Sequence, residues 1–188
     1  VLEPPFQPGA EYEMKLQNLE CDQGSFDVVW ATHALYAIPR NELEPALRCM
    51  VHAMGHGGKA NKRGAGFIAH ASAQSHYLQF YQHYLAGFKE GVGEPYTDSE
   101  QITSILTQME LSLEVKEINY TNGAPETEEL QIERYLQRCV FDDTISLKQM
   151  LDNPVTGPYL ESCRKNGMWQ FAQRVDMIFV NASAGPVT

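Results

Sequence analysis

Several things this 188-residue sequence has little of narrow its reading at once. Its four cysteines, Cys21, Cys49, Cys139 and Cys163, stand far apart with no C-x-x-C pair. That excludes a zinc ribbon and a disulfide scaffold, and suits a reducing, cytoplasmic compartment. No apolar run reaches the roughly 18–20 residues that a membrane helix needs, and no basic-then-apolar leader opens the chain, so no membrane partner is expected. Basic residues are scarce: 14 Lys and Arg against 24 Asp and Glu leave a net charge of −10. A negative sheath repels phosphate backbones and anionic lipid, so no nucleic acid partner is expected either and a small-molecule substrate is favoured. Neither a G-x-S-x-G elbow nor a P-loop occurs, which argues against an α/β-hydrolase or a phosphate-loop enzyme.

What is present is ample for a core. Hydrophobic residues make up 43% of the chain and charged residues only 20%, enough for one folded domain spanning 1–188. Tyr12–Leu16 reads as a short strand, and the apolar run Phe26–Ala31 as a strand covered on both faces. Leu43, Ala46, Leu47, Met50, Val51 and Met54 then repeat at helical spacing, with Asn41 and Glu44 as the capping pair. Gly55–Gly58 ends that helix, and a second buried strand follows at Gly66–Ala71. Strand, helix, glycine turn and strand make a parallel β-α-β unit.

Downstream, helices are expected from Ala73 to about Lys89 and from Ser99 to Met109, the latter capped by Thr97 with Glu100. Leu111–Tyr120 alternates and then slips phase at Ile118, which predicts a bulged strand. Glu126–Val140 is an amphipathic helix, short helical pieces follow Thr144, and Gln170–Val180 closes as a strand. No single crossover helix joins the last two strands, so an antiparallel pair at the sheet edge is expected. The fold class is α/β, parallel strands first and an antiparallel C-terminal edge strand last.

The run from Asp22-Gln23-Gly24-Ser25-Phe26-Asp27 through Val-Val-Trp-Ala-Thr-His-Ala-Leu-Tyr-Ala-Ile-Pro to Pro39, with the helix, glycine turn and Phe67–Ala71 strand after it, resembles class I S-adenosylmethionine-dependent methyltransferases. It is similar to their fourth strand, fourth helix and fifth strand, and the likeness extends over about residues 13–181. The closing half also looks like histamine N-methyltransferase-like members. The resemblance implies a Rossmann-like sheet, S-adenosyl-L-methionine as cofactor and methyl transfer to a small-molecule acceptor. The family's E/D-x-G-x-G-x-G loop is absent from this sequence. The chain therefore reads as a methyltransferase-like domain truncated at its N-terminus, with part of the cofactor site missing. The alternative is a non-catalytic binding or assembly module on the same scaffold.

Ligands in open α/β sheets bind past the carboxyl ends of the strands. By the resemblance, Thr32 and His33 would flank the methionyl end of the cofactor and Tyr36 would face the transfer site. Asn18 and Leu19, with Glu20, fall where family members meet the adenine, and Glu3 is the candidate acid for the ribose. His33 is the nominee for proton acceptor; its plain alternative is a helix cap, and that of Tyr36 is packing. Phe80 would wall a substrate pocket or cradle an amine, or else lie in the core. His52 and His56 share an i, i+4 spacing, yet no third ligand is fixed, and no metal is expected. In the family fold the Phe26–Ala31 strand has a neighbour that this sequence does not supply. Its edge is expected to be covered, by the Tyr12–Leu16 segment or by a second copy in a homo-oligomer.

Overall fold

The computed structural model describes residues 7, 9–54 and 64–181. Glu3, His56 and the Gly55–Gly58 turn lie outside the described residues. A 3-10 turn at Leu16–Asn18 is followed by β1 (Val28–Thr32), α1 (Arg40–Ala53), β2 (Ala65–Ala71), α2 (His76–Phe88), α3 (Ser99–Gln108) and β3 (Ser112–Pro125). Then come α4 (Glu129–Val140), α5 (Leu147–Asp152), α6 (Thr156–Ser162), β4 (Arg164–Lys165) and β5 (Met168–Asn181).

The sheet runs β1-β2-β5-β3, with β1 and β2 parallel and β5 antiparallel to both β2 and β3. This is the expected α/β class. The C-terminal strand, however, lies one place in from the edge, and β3 takes the edge itself. The side chains explain the order: β5 alternates buried positions along nearly its whole length, whereas β3 is exposed almost throughout. β4 turns into β5 through Asn166 and Gly167, both left-handed at φ 55° and 72°, the pair of conformations that a two-residue hairpin requires.

Each sheet face has its own core. Ala31, Ile68, Ile178 and Val180 pack under Leu43 and Leu47 of α1 and Ile102 and Leu106 of α3. Trp169 and Phe171 on the other face pack under Phe80 of α2, Leu136 of α4 and Leu160 of α6. That second cover stops short of β1. Trp30 meets Phe67 at 5.0 Å and Phe67 meets Phe179 at 5.1 Å between ring centroids, yet Trp30 stays 69% exposed and Val28 57%. The expectation that this strand is covered on both faces is therefore corrected: one face is covered, and the far edge of β1 has no strand partner among the described residues.

Other local expectations also change. Tyr12–Leu16 forms no strand; only Leu16 reaches the core, at the start of the 3-10 turn, while Tyr12 and Met14 face solvent. No bulge interrupts β3, whose register with β5 runs one to one from Ser112 to Pro125. The apparent phase slip is a change of covered face: Leu113 packs with the α1–α3 core, and Tyr120 turns toward a cavity on the opposite side. At α3 the cap is Asp98, which accepts from the Gln101 N–H at 2.7 Å. Thr97 and Glu100 are otherwise engaged, with the Ile38 carbonyl and the Ala73 N–H. Helix α1 begins at Arg40, with Pro39 at the cap position and no side-chain cap, so Asn41 lies inside it.

Candidate functional site

β1 and β2 run parallel, and their carboxyl ends open on a cavity of about 490 Å³. Its walls come from the loop after β1, from the end of β2, and from α2, β3, α4 and β5. Pockets at such a strand end are where open α/β sheets bind ligands. Tyr36, Tyr77, Tyr96, Tyr120 and Tyr135 supply most of the ring surface.

His33 enters this wall because the chain turns sharply after β1. Its N–H donates to the Ala69 carbonyl at 2.9 Å, and its backbone is left-handed at φ 50°. Three residues on, Tyr36 returns over the end of β2, where its hydroxyl accepts the Ala71 N–H at 3.2 Å. The same oxygen lies 2.6 Å from His33 Nδ1. Burial lowers the pKa of His33 and raises that of Tyr36, so both are neutral at pH 7. Bookkeeping of donors then assigns the Tyr36 proton to His33 Nδ1, which leaves the imidazole proton on Nε2.

Beneath Tyr36 lies His70, ring centroids 4.0 Å apart and fully buried. A carbonyl only accepts, so the 2.9 Å contact from His70 Nε2 to the Thr97 oxygen places the proton there. Nδ1 is left without a partner. Burial holds this histidine neutral, with its pKa pushed down to about 4. Tyr77 and Tyr96 continue the ring wall, stacked at 5.3 Å, and Tyr96 stacks in turn on Tyr81 at 3.7 Å. Opposite them, the Tyr135 hydroxyl accepts from Gln173 Nε2 at 2.9 Å.

Of the residues singled out from sequence, His33 and Tyr36 therefore meet at the cavity. Thr32 ends β1 beside them, exposed, and accepts from the Trp30 indole N–H. Phe80 is 0% exposed and stacks on His76 in the core at 5.6 Å. Its place is the core alternative, because α2 is covered on both its sheet side and its α6 side. Asn18 and Leu19 lie at the end of the 3-10 turn, which packs on α1; neither lines the cavity. Sequence reasoning missed Tyr96, Tyr120, Asn122, Tyr135, Phe141 and Gln173, which come from the α2–α3 loop, β3, α4, the turn after it and β5, and meet only in the tertiary fold.

A second groove runs along the α1 side of β1, between Trp30, Ala34, Ile38 and the turn at Met14–Gln17. Among the described residues no glycine lines either this groove or the cavity, so none of them offers the close backbone approach that a glycine turn gives to a cofactor. The one carboxylate on either wall among the described residues is Glu42, and it is already bonded to Gln17 and 3.5 Å from Lys15 Nζ. The described residues thus suit a small ring-bearing ligand but do not fit the adenosine half of S-adenosylmethionine. Among the described residues no cluster of ligands suits a metal ion, and no helix is long and apolar enough to cross a membrane.

No family model and no curated protein sequence matches this chain. Solved structures do. A Bacillus halodurans C-125 protein, provisionally designated a methyltransferase, superposes with a TM-score of 0.55 at 9% identity, over 91% of this chain and 76% of that one. The YcgJ protein of Bacillus subtilis superposes at 0.51 with 10% identity, over 92% of this chain and 70% of that one. At such identities the likeness defines the fold: a Rossmann-like sheet of the methyltransferase type.

Proposed function

We propose that this chain carries the acceptor side of an S-adenosyl-L-methionine-dependent methyltransferase acting on a small molecule. The observation that carries the reading is the tyrosine-lined cavity at the carboxyl ends of the two parallel strands, in a sheet of the methyltransferase type. When bound, the cofactor supplies a methyl group on a sulfonium, ready for direct displacement. The protein's own contribution is alignment and exclusion of water more than acid–base chemistry. The ring wall holds the acceptor, and Gln173 and Asn122 offer it hydrogen bonds.

His33 and Tyr36 act as one unit in this reading. In the assigned tautomer His33 presents an Nε2–H donor. For Nε2 to accept an acceptor's proton, its own proton must first pass to solvent while Nδ1 takes one up from solvent; Nδ1–H then donates to the Tyr36 oxygen, and the Tyr36 hydroxyl keeps its proton and turns it outward. Thr32 and His33 would abut the methionyl end of the cofactor. The glycine turn and ribose acid would come from outside the described residues. Calorimetric titration with S-adenosylhomocysteine tests the reading.

One observation favours a second reading, an assembly module: the bare β1 edge with Trp30 and Val28 exposed. The two readings part on methyl transfer. A full-length gene product that binds S-adenosylhomocysteine supports the first, and one that only self-associates supports the second.

A further inference from the structure

Among the described residues, five other than glycine hold a left-handed backbone: His33, Glu90, Glu110, Phe141 and Asn166. Glu90, Glu110 and Asn166 stand in exposed turns away from the cavity, whereas His33 and Phe141 both line it. Phe141 is the more unusual of the two. It follows α4 at φ 51°, a position that glycine or asparagine ordinarily fills because a Cβ crowds the backbone there. Its ring is 79% exposed, so burial within the free protein does not offset the disfavoured conformation.

The loop around it is tied down at every step. The N–H groups of Phe141 and Asp142 both donate to the Gln137 carbonyl. The Gln137 side chain donates in turn to the carbonyls of Asp143 at 3.2 Å and Ile145 at 2.9 Å. The Asp142 carboxylate accepts from the Tyr84 hydroxyl at 2.6 Å and from the Thr144 N–H at 3.0 Å. Those bonds, led by the Thr144 hydroxyl, hold its pKa down to about 2. Lys89 Nζ completes the anchor at 3.6 Å. The Phe141 ring is thereby held edge-on to Tyr96, at 82° and 6.3 Å between centroids.

The walls define what such a ring would cover. Among the described residues no Lys, Arg, Asp or Glu lines the cavity, so a phosphate or carboxylate would find no counter-ion among them and would lose its hydration uncompensated. Ring faces dominate, with two side-chain amides for hydrogen bonds. From the geometry we infer that Phe141 is the specificity-determining residue of this cavity, and that its exposed ring is buried only against an uncharged, flat, ring-bearing ligand. The inference rests on the cavity being the acceptor site, and it narrows the acceptor to that class.

Fluorescence titration with N-phenyl-1-naphthylamine, an uncharged flat dye, tests it without any methyl donor. Phe141→Gly removes the ring and relieves the backbone, so dye affinity should fall about five- to tenfold while Tm holds or rises. Phe141→Leu keeps an apolar side chain and should lose part of that affinity. Leu130→Ala, on the exposed side of α4 and outside the cavity, should lose none. The anionic counterpart 8-anilinonaphthalene-1-sulfonate should bind at least about tenfold more weakly than the uncharged dye. An unchanged affinity in Phe141→Gly, a wild-type chain that does not bind the uncharged dye, or equal binding of the two dyes would overturn the inference. Failure to bind S-adenosylhomocysteine would leave the dye result untouched and would count against the methyltransferase reading alone.

Discussion

The Tyr36 hydroxyl stands 2.6 Å from His33 Nδ1 while it accepts the amide proton of Ala71 at 3.2 Å. A donor aimed at Nδ1 favours the neutral imidazole, in the same direction as the burial that already lowers the His33 pKa. Tyr36→Phe removes that donor. The His33 titration, followed by NMR of the imidazole, should have its midpoint below 6.5 in the wild type and move upward in Tyr36→Phe. A midpoint that stays put would show that the two side chains are not coupled.

Buried histidines set the acid limit of stability. His70 takes a proton at about 6.5 when unfolded and only near 4 when folded; for His76 the folded value falls to about 3. The unfolded state therefore binds more protons below pH 6.5. The stability these groups contribute is complete above 6.5 and is lost as pH falls toward 4, by at most about 3 kcal/mol for His70. His70→Gln retains a donor for the Thr97 carbonyl but cannot ionise. Its Tm should fall less steeply between pH 6.5 and 4 than that of the wild type, as read by scanning calorimetry. Equal slopes would assign the acid sensitivity elsewhere.

The outer edge of β1 is a liability in water, since Val28 and Trp30 are exposed along it and its backbone groups have no strand partner among the described residues. If two copies pair there, the 188-residue chain sediments as a dimer and Trp30→Lys as a monomer. A monomeric wild type at micromolar concentration would contradict this pairing.

Parts of this fold were legible in the residues and parts were not, for physical reasons. The Gly66–Ala71 run announced β2 because its apolar length suits a strand covered on both sides, and Leu43, Leu47 and Met50 announced α1 by spacing alone. Tyr36 and His33 were reachable because ligands gather past parallel strand ends. Phe80 stayed open between pocket wall and core because α2 carries aromatics on several faces and periodicity does not say which face meets solvent; its 0% exposure decides for the core. Ile118 read as a bulge because alternation assumes one buried face, whereas β3 changes covered faces along its length. Tyr120 reaches the cavity through the antiparallel pairing of β3 with β5, and Tyr135 through the packing of α4 on the same sheet face, long-range relationships that no local pattern encodes.

The central claim is that this chain holds the acceptor side of a methyl-transfer site and lacks the part that grips the adenosine. Calorimetric titration of S-adenosylhomocysteine into the 188-residue chain, and into the full-length product of its gene, tests that claim most directly. The account predicts no saturable heat for the 188-residue chain and saturable binding for the full-length product. Saturable micromolar binding by the 188-residue chain alone, or none by the full-length product, would contradict it.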